Sequence, residues 1–488
     1  MTRREWLTRC FPLLLAGCVA NNVAAAASPS HDGKNNPQNH RPMQRAGDHA
    51  APRTRLIVLT DMSSIEAGVR EPDDAQSMIR LMLYANEFDI EGLIASSSLA
   101  HDHVVRPWII RQIVDAYGEC QPNLIKHDSH YPTAAQLRRT IKSGQPNADN
   151  DMPVYRIIGD NKDTEASEWI IQKVDEADER PLWIVIWGGS ADLAQALWKV
   201  RGTRSPEEAA AFVAKIRVAA SVDQDSTGPW IKSRFPELFY ATRSYGGRGM
   251  YRGGDADLVS SSWVQKNIKG HGALGAIYPD YRGGDIWWRE LGEVRGIKGG
   301  DSATYMGLIP NGLNVRNHLN WSNWGGRIQQ DPDNPQHYRD AVEPVADYKN
   351  DISPYLASVY QWRPDFQPAY AARFDWCVAP YSQANHAPHN EHGLGLIKRH
   401  VSSGDTVKLE SGRWRDPDGN NLTFHWQTLR GEGSYPGKIK IEKQSAGSVR
   451  FTAPVVKSPQ SIHVLLTVRD DGNPALSSYQ RINFVVHP

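Results

Sequence analysis

Apolar positions in the first part of the chain form continuous runs that alternate with stretches of helical spacing. The runs cover residues 56–59, 90–95, 182–187 and 216–221. Short continuous apolar runs are typical of strands that are buried on both faces of a parallel sheet. Their alternation with helices predicts an α/β fold, in which helices cover both faces of a mostly parallel sheet.

The pattern changes after about residue 381. Short segments of alternating hydrophobicity follow at residues 422–427, 449–452, 462–469 and 479–486, separated by turn sequences such as Asp-Pro-Asp-Gly. This spacing predicts a β-sandwich of immunoglobulin-like or cadherin-like form. Because 488 residues are too many for one ordinary domain, we expect the α/β domain at 54–380 and the sandwich at 385–488.

Residues 1–27 are typical of an export signal. Arg3 and Arg4 precede an apolar run at 11–20 that is too short to span a bilayer as a mature helix. The arginine pair resembles a twin-arginine signal, whereas Cys18 lies in a lipobox-like sequence that would make it a lipid anchor. Cleavage after the alanines at 24–27 is the third alternative. All three stay open, and each predicts a periplasmic or secreted protein with a flexible linker at 28–53.

The overall charge argues against a nucleic acid polymer as partner. Lys and Arg together number 55, as do Asp and Glu, so no net field attracts a polyanion. Trp and Tyr are numerous, at 16 and 18. Core packing accounts for most of them, but aromatic faces of the same kind also stack on sugar rings. No stretch after the signal is long and apolar enough to predict a transmembrane span. The sequence does not indicate an oligomeric state.

Two cysteines, Cys120 and Cys377, lie beyond the signal. In an oxidising compartment they could form a disulfide. Two separate buried thiols are the alternative, because the sequence gives no distance between them.

Three aspartates around the first β-α connection suggest a metal site. Asp61 follows the first predicted strand, and Asp73 and Asp74 begin the next helix. Carboxylates that crowd together repel one another unless a cation or a proton lies between them. A hard divalent ion with oxygen ligands, Ca²⁺ in the first instance, would remove this repulsion. The alternative is that Asp73 and Asp74 only stabilise the helix N-terminus.

Several segments resemble the nucleoside hydrolase signature and its relatives. Leu59-Thr60-Asp61 with Asp73-Asp74 resembles a stretched form of Asp-Thr-Asp-Pro-Gly-x-Asp-Asp. The segments at 188–194 and 300–302 are similar to the later Gly-Pro-Leu-Thr-Asn-Leu-Ala and His-Asp-Pro segments. Further matches at 84–92, 308–313 and 324–327, and a linker at 384–388, resemble the nucleoside hydrolase-like family of cellulose-binding proteins (DUF1593). The resemblance extends from about residue 53 to the C-terminus.

The resemblance implies a bound Ca²⁺ and a role for each matching residue. Asp61 would bind the metal and activate water, Asp73 would hold a sugar hydroxyl, and the further metal ligands would be Asp74, Asp301 and, through its backbone carbonyl, Ala191. The implied reaction is hydrolysis of a glycosidic bond, either an N-ribosyl bond or an O-glycoside, in a nucleoside or carbohydrate substrate.

The sequence departs from the family pattern at two informative positions. Leu59 replaces the first aspartate of the signature, and Gly300 stands where the hydrolases often have a histidine near the leaving group. His271 is the best alternative acid, unless it is only a solvent-facing loop residue. The rival hypothesis is a non-catalytic protein that binds cellulose or another polysaccharide with the same pocket and the sandwich. A spacer module without metal is a third.

Other polar and aromatic residues are predicted to line the sugar pocket because they follow strands or lie in late loops. They are Ser97, Asp223, Gln224, Asp225, Asn311 and Trp324. For Asp225, the alternative is that it caps its own loop against Thr227.

Overall fold

The computed structural model describes residues 52–65, 72–97, 103–148, 151–284, 292–343 and 353–488. The predicted signal at 1–27, with Cys18, and the predicted linker up to residue 51 lie outside these residues. Within them, no helix is long and apolar enough to cross a membrane.

The α/β part contains ten strands and thirteen helices among the described residues. The strands are β1 Thr54–Thr60, β2 Phe88–Ala95, β3 Ile141–Ser143, β4 Leu182–Ile186, β5 Ile216–Ala220, β6 Phe239–Thr242, β7 Tyr281–Gly283, β8 Val294–Gly296, β9 Ile328–Asp331 and β10 Asn334–Asp340. The helices are α1 Asp73–Leu83, α2 Pro107–His127, α3 Ala134–Arg139, α4 Val154–Ile157, α5 Glu165–Asp175, α6 Ala191–Thr203, α7 Pro206–Ala214, α8 Thr227–Arg234, α9 Ser261–Asn267, α10 Gly272–Ile277, α11 Ala303–Met306, α12 Ser353–Tyr360 and α13 Arg363–Asp375.

Eight of these strands form one sheet in the order β3-β2-β1-β4-β5-β6-β10-β9. All neighbours are parallel except β10 and β9, so the predicted α/β fold class is confirmed. The alternate side chains of β1 explain why its apolar run is continuous. Leu56 and Val58 belong to the core on one face of the sheet, and Ile57 and Leu59 belong to the core on the other.

Helix α1 is buried more completely than its sequence predicts. The apolar spacing predicts one buried stripe, yet every residue from Asp74 to Leu83 is buried. The polar members are satisfied by hydrogen bonds: Gln76 Nε2 donates to the carbonyl of Pro279 at 2.8 Å, and Arg80 Nη2 donates to Gln367 Oε1 at 2.8 Å. Buried polar groups with such partners cost little, and α1 can therefore pass through the interior.

Nine shorter or alternating strands form the C-terminal part. They are β11 His389–Asn390, β12 Ile397–Ser402, β13 Thr406–Glu410, β14 Trp414–Arg415, β15 Leu422–Leu429, β16 Glu442–Lys443, β17 Ser448–Thr452, β18 Gln460–Asp470 and β19 Ser477–His487. The two larger sheets have the orders β12-β19-β18-β15 and β13-β17-β16, and their pairs are antiparallel except β12 with β19. A separate apolar core lies between them. The predicted β-sandwich is therefore confirmed.

The last strand, β19, contacts the α/β part through buried polar groups. Tyr479 donates its hydroxyl to Asp365 Oδ2 of α13 at 2.7 Å, and Ser477 donates to Asp365 Oδ1 at 2.8 Å. Arg481, which is fully buried, donates to the carbonyl oxygens of Leu313 at 3.1 Å and Ser322 at 2.8 Å. The sandwich is thus joined to the α/β part by specific hydrogen bonds.

Cys120 and Cys377 are buried free thiols that lie side by side. A Cβ added at Gly272 would lie 2.9 Å from Sγ of Cys120 and 3.3 Å from Cβ of Cys377, which places all three residues in contact. The structure therefore brings the two thiols together without a bond between them.

Candidate active site

The candidate site lies where β1, β4 and β5 end, at the carboxyl edge of the sheet. Asp61 follows β1 directly, Gly188 follows β4 closely, and Ser221 follows β5. Asp73 and Asp74 open α1, and Asp301 lies in the short helical turn Gly300–Ser302 that precedes α11. Ligand sites of parallel sheets are found at this edge, because the loops that follow neighbouring strands converge there.

Three carboxylates meet at this edge from two distant parts of the chain. One ligand oxygen from each of Asp73, Asp74 and Asp301 lies within 4.8 Å of the others. Asp74 and Asp301 are buried, and Asp73 is half-buried. The backbone N–H of Asp61 donates to Asp74 Oδ1 at 3.2 Å, so Asp61 adjoins the same group. We call these four residues the carboxylate cluster.

Two hydroxyl groups orient the buried members of the cluster. Thr60 donates its hydroxyl to Asp74 Oδ1, and Ser221 donates to Asp301 Oδ1 at 2.5 Å. Both hydroxyls belong to residues at strand ends, and neither was predicted as a site residue. A strand-end Thr or Ser beside a carboxylate is the signal that could have revealed them.

The electrostatics of the cluster fit a divalent cation. Burial and then the charge of Asp61 raise the pKa of Asp74 well above its usual value, and burial and the charges of Asp73 and Asp74 do the same for Asp301. Among the described residues, Asp301 Oδ2 is buried without a hydrogen-bond partner. A buried carboxylate oxygen of this kind is costly unless something binds it. Oxygen donors at this density are the set that Ca²⁺ prefers.

Gly188 allows the β4–α6 turn to pack against Asp61. A Cβ added at Gly188 would lie 2.5 Å from Cβ of Asp61, which is closer than two carbon atoms can approach. Only glycine therefore fits here. Ala191 lies three positions later, as the buried first residue of α6. Its predicted role as a metal ligand through the carbonyl stays a prediction.

The predicted pocket residues after β5 have internal partners. Asp223 accepts from Lys232 Nζ at 2.5 Å and from the Tyr240 hydroxyl at 2.9 Å. Gln224 Nε2 donates to the carbonyl of Trp187 at 2.5 Å.

Asp225 accepts from the backbone N–H of Thr227 at 2.8 Å, in agreement with the alternative that it caps its own loop. It also accepts from the N–H of Ser190 at 3.0 Å, so it ties the β5–α8 loop to the N-terminus of α6.

Three further residues that were predicted to line the pocket make hydrogen bonds between distant parts of the chain. Ser97 exchanges hydrogen bonds with the backbone of Ala148, at 3.2 and 3.4 Å. The Asn311 carbonyl accepts from the N–H of Tyr479 at 3.1 Å, and Trp324 Nε1 donates to the Tyr479 hydroxyl at 3.2 Å. Asn311 and Trp324 thus contact the sandwich. Their position in late loops of the sequence could not predict this contact.

The contacts that the structure describes for His271 are with residues outside the carboxylate cluster. Its Nε2 pairs with Asp375 Oδ1 at 3.1 Å, and its Nδ1 lies 3.2 Å from the carbonyl of Lys269. It precedes α10, where Gly272 contacts Cys120 and Cys377. Its predicted role as the acid stays a prediction, because flanking glycines also serve turns that bind no ligand.

We expect His271→Asn to lower the stability of the protein in a pH-dependent way. The hydrogen bond and charge of Asp375 raise the pKa of His271. A raised folded-state pKa stabilises the protein below the unfolded pKa of about 6.5, and this stabilisation is lost as pH rises through the folded value. Urea unfolding of both proteins from about pH 5 to 9 measures the difference, and Asp375→Asn should give the same profile. A pH-independent difference would contradict this assignment.

A buried lysine lies close to Asp301 in sequence, and its position was not predicted. Lys298 is 1% exposed, and its Nζ lies 3.0 Å from the hydroxyl of Tyr251. Tyr251 Cε1 lies 3.4 Å from a Cβ added at Gly300, so this ring fills the space beside that glycine.

Comparison with known proteins agrees with this architecture. Residues 55–328 match the family model described as cellulose-binding Sde182, nucleoside hydrolase-like domain, and residues 406–486 match the C-terminal domain of cellulose-binding protein Sde0182. No curated protein matches the chain.

A solved structure of a nucleoside hydrolase-related hypothetical protein from Saccharophagus degradans, associated with carbohydrate metabolism, is 31% identical, with a TM-score of 0.73. That match covers 89% of this chain and all of the other. Mouse clustered PcdhgC3 EC1-3 is 20% identical over 22% of this chain and 35% of its own, with a TM-score of 0.15. The family match covers more than half of the chain, and the chain therefore belongs to the cellulose-binding Sde182 family with its nucleoside hydrolase-like domain.

Proposed function

We propose that this protein is an exported, metal-dependent hydrolase of a glycosidic bond, with a nucleoside or a carbohydrate as substrate. The observation that carries the proposal is the meeting of Asp73, Asp74 and Asp301 at the carboxyl edge of the sheet, with one oxygen of Asp301 buried and unpartnered. Carboxylates at this density have no evident structural purpose, since they repel one another.

Asp61, Asp74 and Asp301 are the side chains that would hold the ion, with Ca²⁺ as the best-fitting species. When bound, such an ion lowers the pKa of a coordinated water and binds sugar hydroxyls. Thr60 and Ser221 keep Asp74 and Asp301 in place for this purpose.

Asp61 is the proposed general base. It lies at the end of the buried strand β1 and against Gly188, so its position is well determined. A carboxylate there can take a proton from water as the oxygen attacks the anomeric carbon, which is the inverting arrangement. Asp73 is less buried than Asp74 and Asp301, and its oxygens can therefore accept from a sugar hydroxyl.

Reducing-sugar release from a panel of nucleosides and plant-type oligosaccharides tests the proposal. We expect the wild-type protein with Ca²⁺ to cleave at least one member, and Asp61→Asn to lose at least about a hundredfold in rate, the typical contribution of a general base. Asp163→Asn, which alters a carboxylate paired with Lys199, is the control and should cleave like wild type. A panel untouched by wild type would contradict the proposal.

The second candidate function is polysaccharide binding without catalysis. It is favoured by the cellulose-binding description of both family models and by Leu59, which stands in place of an aspartate in the hydrolase signature. Retention of the full chain on cellulose or xylan, with no sugar release by wild type, would support this function over the hydrolase. Release that depends on Asp61 would decide for the enzyme.

A further inference from the structure

Two buried histidines and one aspartate form a row of contacts between the α/β part and the sandwich. His127, at the end of α2, lies with Nε2 at 2.9 Å from the carbonyl of Ala379. Its Nδ1 lies 2.9 Å from Nε2 of His386 in the linker between the two parts. Nδ1 of His386 lies 3.0 and 3.1 Å from the carboxylate oxygens of Asp418, in the turn before β15. We call these groups the histidine row.

The number of protons in the row follows from which atoms can donate. The Ala379 carbonyl and an ionised Asp418 only accept, so a hydrogen bond at each end needs an N–H on the facing ring nitrogen. The contact between the two rings needs one more. Three contacts therefore need three protons, whereas two neutral imidazoles carry two. If the proton between His386 and Asp418 is bonded to the carboxylate and not to the ring, the three contacts still contain three protons.

We propose that the histidine row is a pH-dependent latch that fastens the linker and the sandwich to α2 when it holds this third proton. If the proton is lost, one contact becomes a meeting of two lone pairs at hydrogen-bond distance, and that contact must open. If a fourth proton is added in strong acid, two N–H groups face each other instead. The latch is therefore closed in a middle range of pH and weakens on both sides.

The surroundings fix the orientation of both rings and oppose a charge on one of them. Burial lowers the pKa of His127 to about 4, so this ring is neutral above that pH. Trp376 stacks on His127 with the centroids 5.1 Å apart, and Tyr381 stacks on His386 at 3.8 Å, so both rings are fixed in orientation.

The other titratable groups that face the row come from each neighbouring element. Lys126 on α2 opposes the charging of His127, and Asp418 favours it. Tyr381 is a neutral phenol, because burial and the charges of Asp418 and Asp416 raise its pKa to about 12. Asp416 and Asp418 lie on the sandwich side of the row.

His127→Asn is the decisive variant. An asparagine amide can donate from nitrogen or accept through oxygen near the position of Nδ1, so it can satisfy His386 without a third proton. The measurement is hydrogen exchange of the full chain in peptides that cover residues 385–390 and 416–421, from about pH 5 to 9. At each pH the wild type is compared with the variant, which cancels the intrinsic pH dependence of exchange. One linked proton predicts that the ratio of protection falls by up to about tenfold per pH unit on the alkaline side.

Asp418→Asn is the second variant, since its amide can likewise face His386 with either polarity, and it should flatten the pH dependence in the same way. His130→Asn is the control, because His130 is exposed and pairs with Asp128 next to α2. It should behave like wild type. Equal pH profiles for wild type and a folded amide variant would overturn the latch. So would ¹⁵N spectra of wild-type histidine that show two neutral rings while both peptides are protected.

Discussion

Asp301→Asn is expected to abolish calcium binding at the carboxylate cluster and to lower kcat/KM on any cleaved substrate by at least about a hundredfold, or ~3 kcal/mol. The substitution replaces the carboxylate, which includes the buried and unpartnered Oδ2, by an uncharged amide. The remaining amide oxygen could still accept the hydrogen bond from Ser221. Without the cation, the same change removes one of the charges that repel Asp73 and Asp74. The variant should therefore unfold no more easily than wild type in the presence of a chelator.

Calorimetric titration with Ca²⁺ and thermal unfolding with and without chelator measure the two halves of this expectation. Asp192→Asn is the matched control, because Asp192 is also buried with an unpartnered Oδ2 but accepts hydrogen bonds from Thr164 and Gln145. It should bind calcium like wild type. Undiminished calcium affinity in Asp301→Asn would show that this cluster does not hold the ion.

Arg373→Met is expected to give the largest loss of stability, about 3–5 kcal/mol, which is typical when one partner of a buried ion pair is removed. Arg373 on α13 is 7% exposed and donates to Glu87 at 2.8 Å, to Asn86 Oδ1 at 2.7 Å and to the carbonyl of Leu83 at 2.8 Å. Methionine fills a similar volume, but it leaves the buried carboxylate of Glu87 without the guanidinium group that pairs with it.

Urea unfolding measures this loss. In Arg138→Met, which breaks an exposed pair with Asp115, the change should stay within about 1 kcal/mol. Adding Glu87→Gln to Arg373→Met should restore part of the loss, because the two residues interact directly. A loss as small as that of the exposed pair would show that water reaches Glu87.

The sheet could be predicted from the sequence because strands that are buried on both faces have continuous apolar runs. The apolar run at 56–59 lies inside β1, and the turn that follows holds Asp61. The cluster was predictable only in part. Asp61, Asp73 and Asp74 belong to one β-α connection, whereas Asp301 was connected to them through the family resemblance alone.

The partners of the other predicted site residues could not be derived from the sequence, because they depend on tertiary contacts. His271 stands between glycines, as a ligand-binding residue can, but Asp375 of α13 is its partner. Asn311 and Trp324 come from late loops, as pocket residues often do, but β19 of the sandwich lies against them. Spacing along the chain does not contain this information.

β19 follows the α/β part in the sequence, and this order has a consequence for biosynthesis. Residues 477–481 supply the side chains that bind the carbonyl oxygens of Leu313 and Ser322, and two of the side chains that bind Asp365. These residues are synthesised after the groups that they bind. During synthesis, this polar surface of the α/β part is therefore exposed to water. A prematurely terminated product would keep that surface open and would be recognisable to proteases as incomplete.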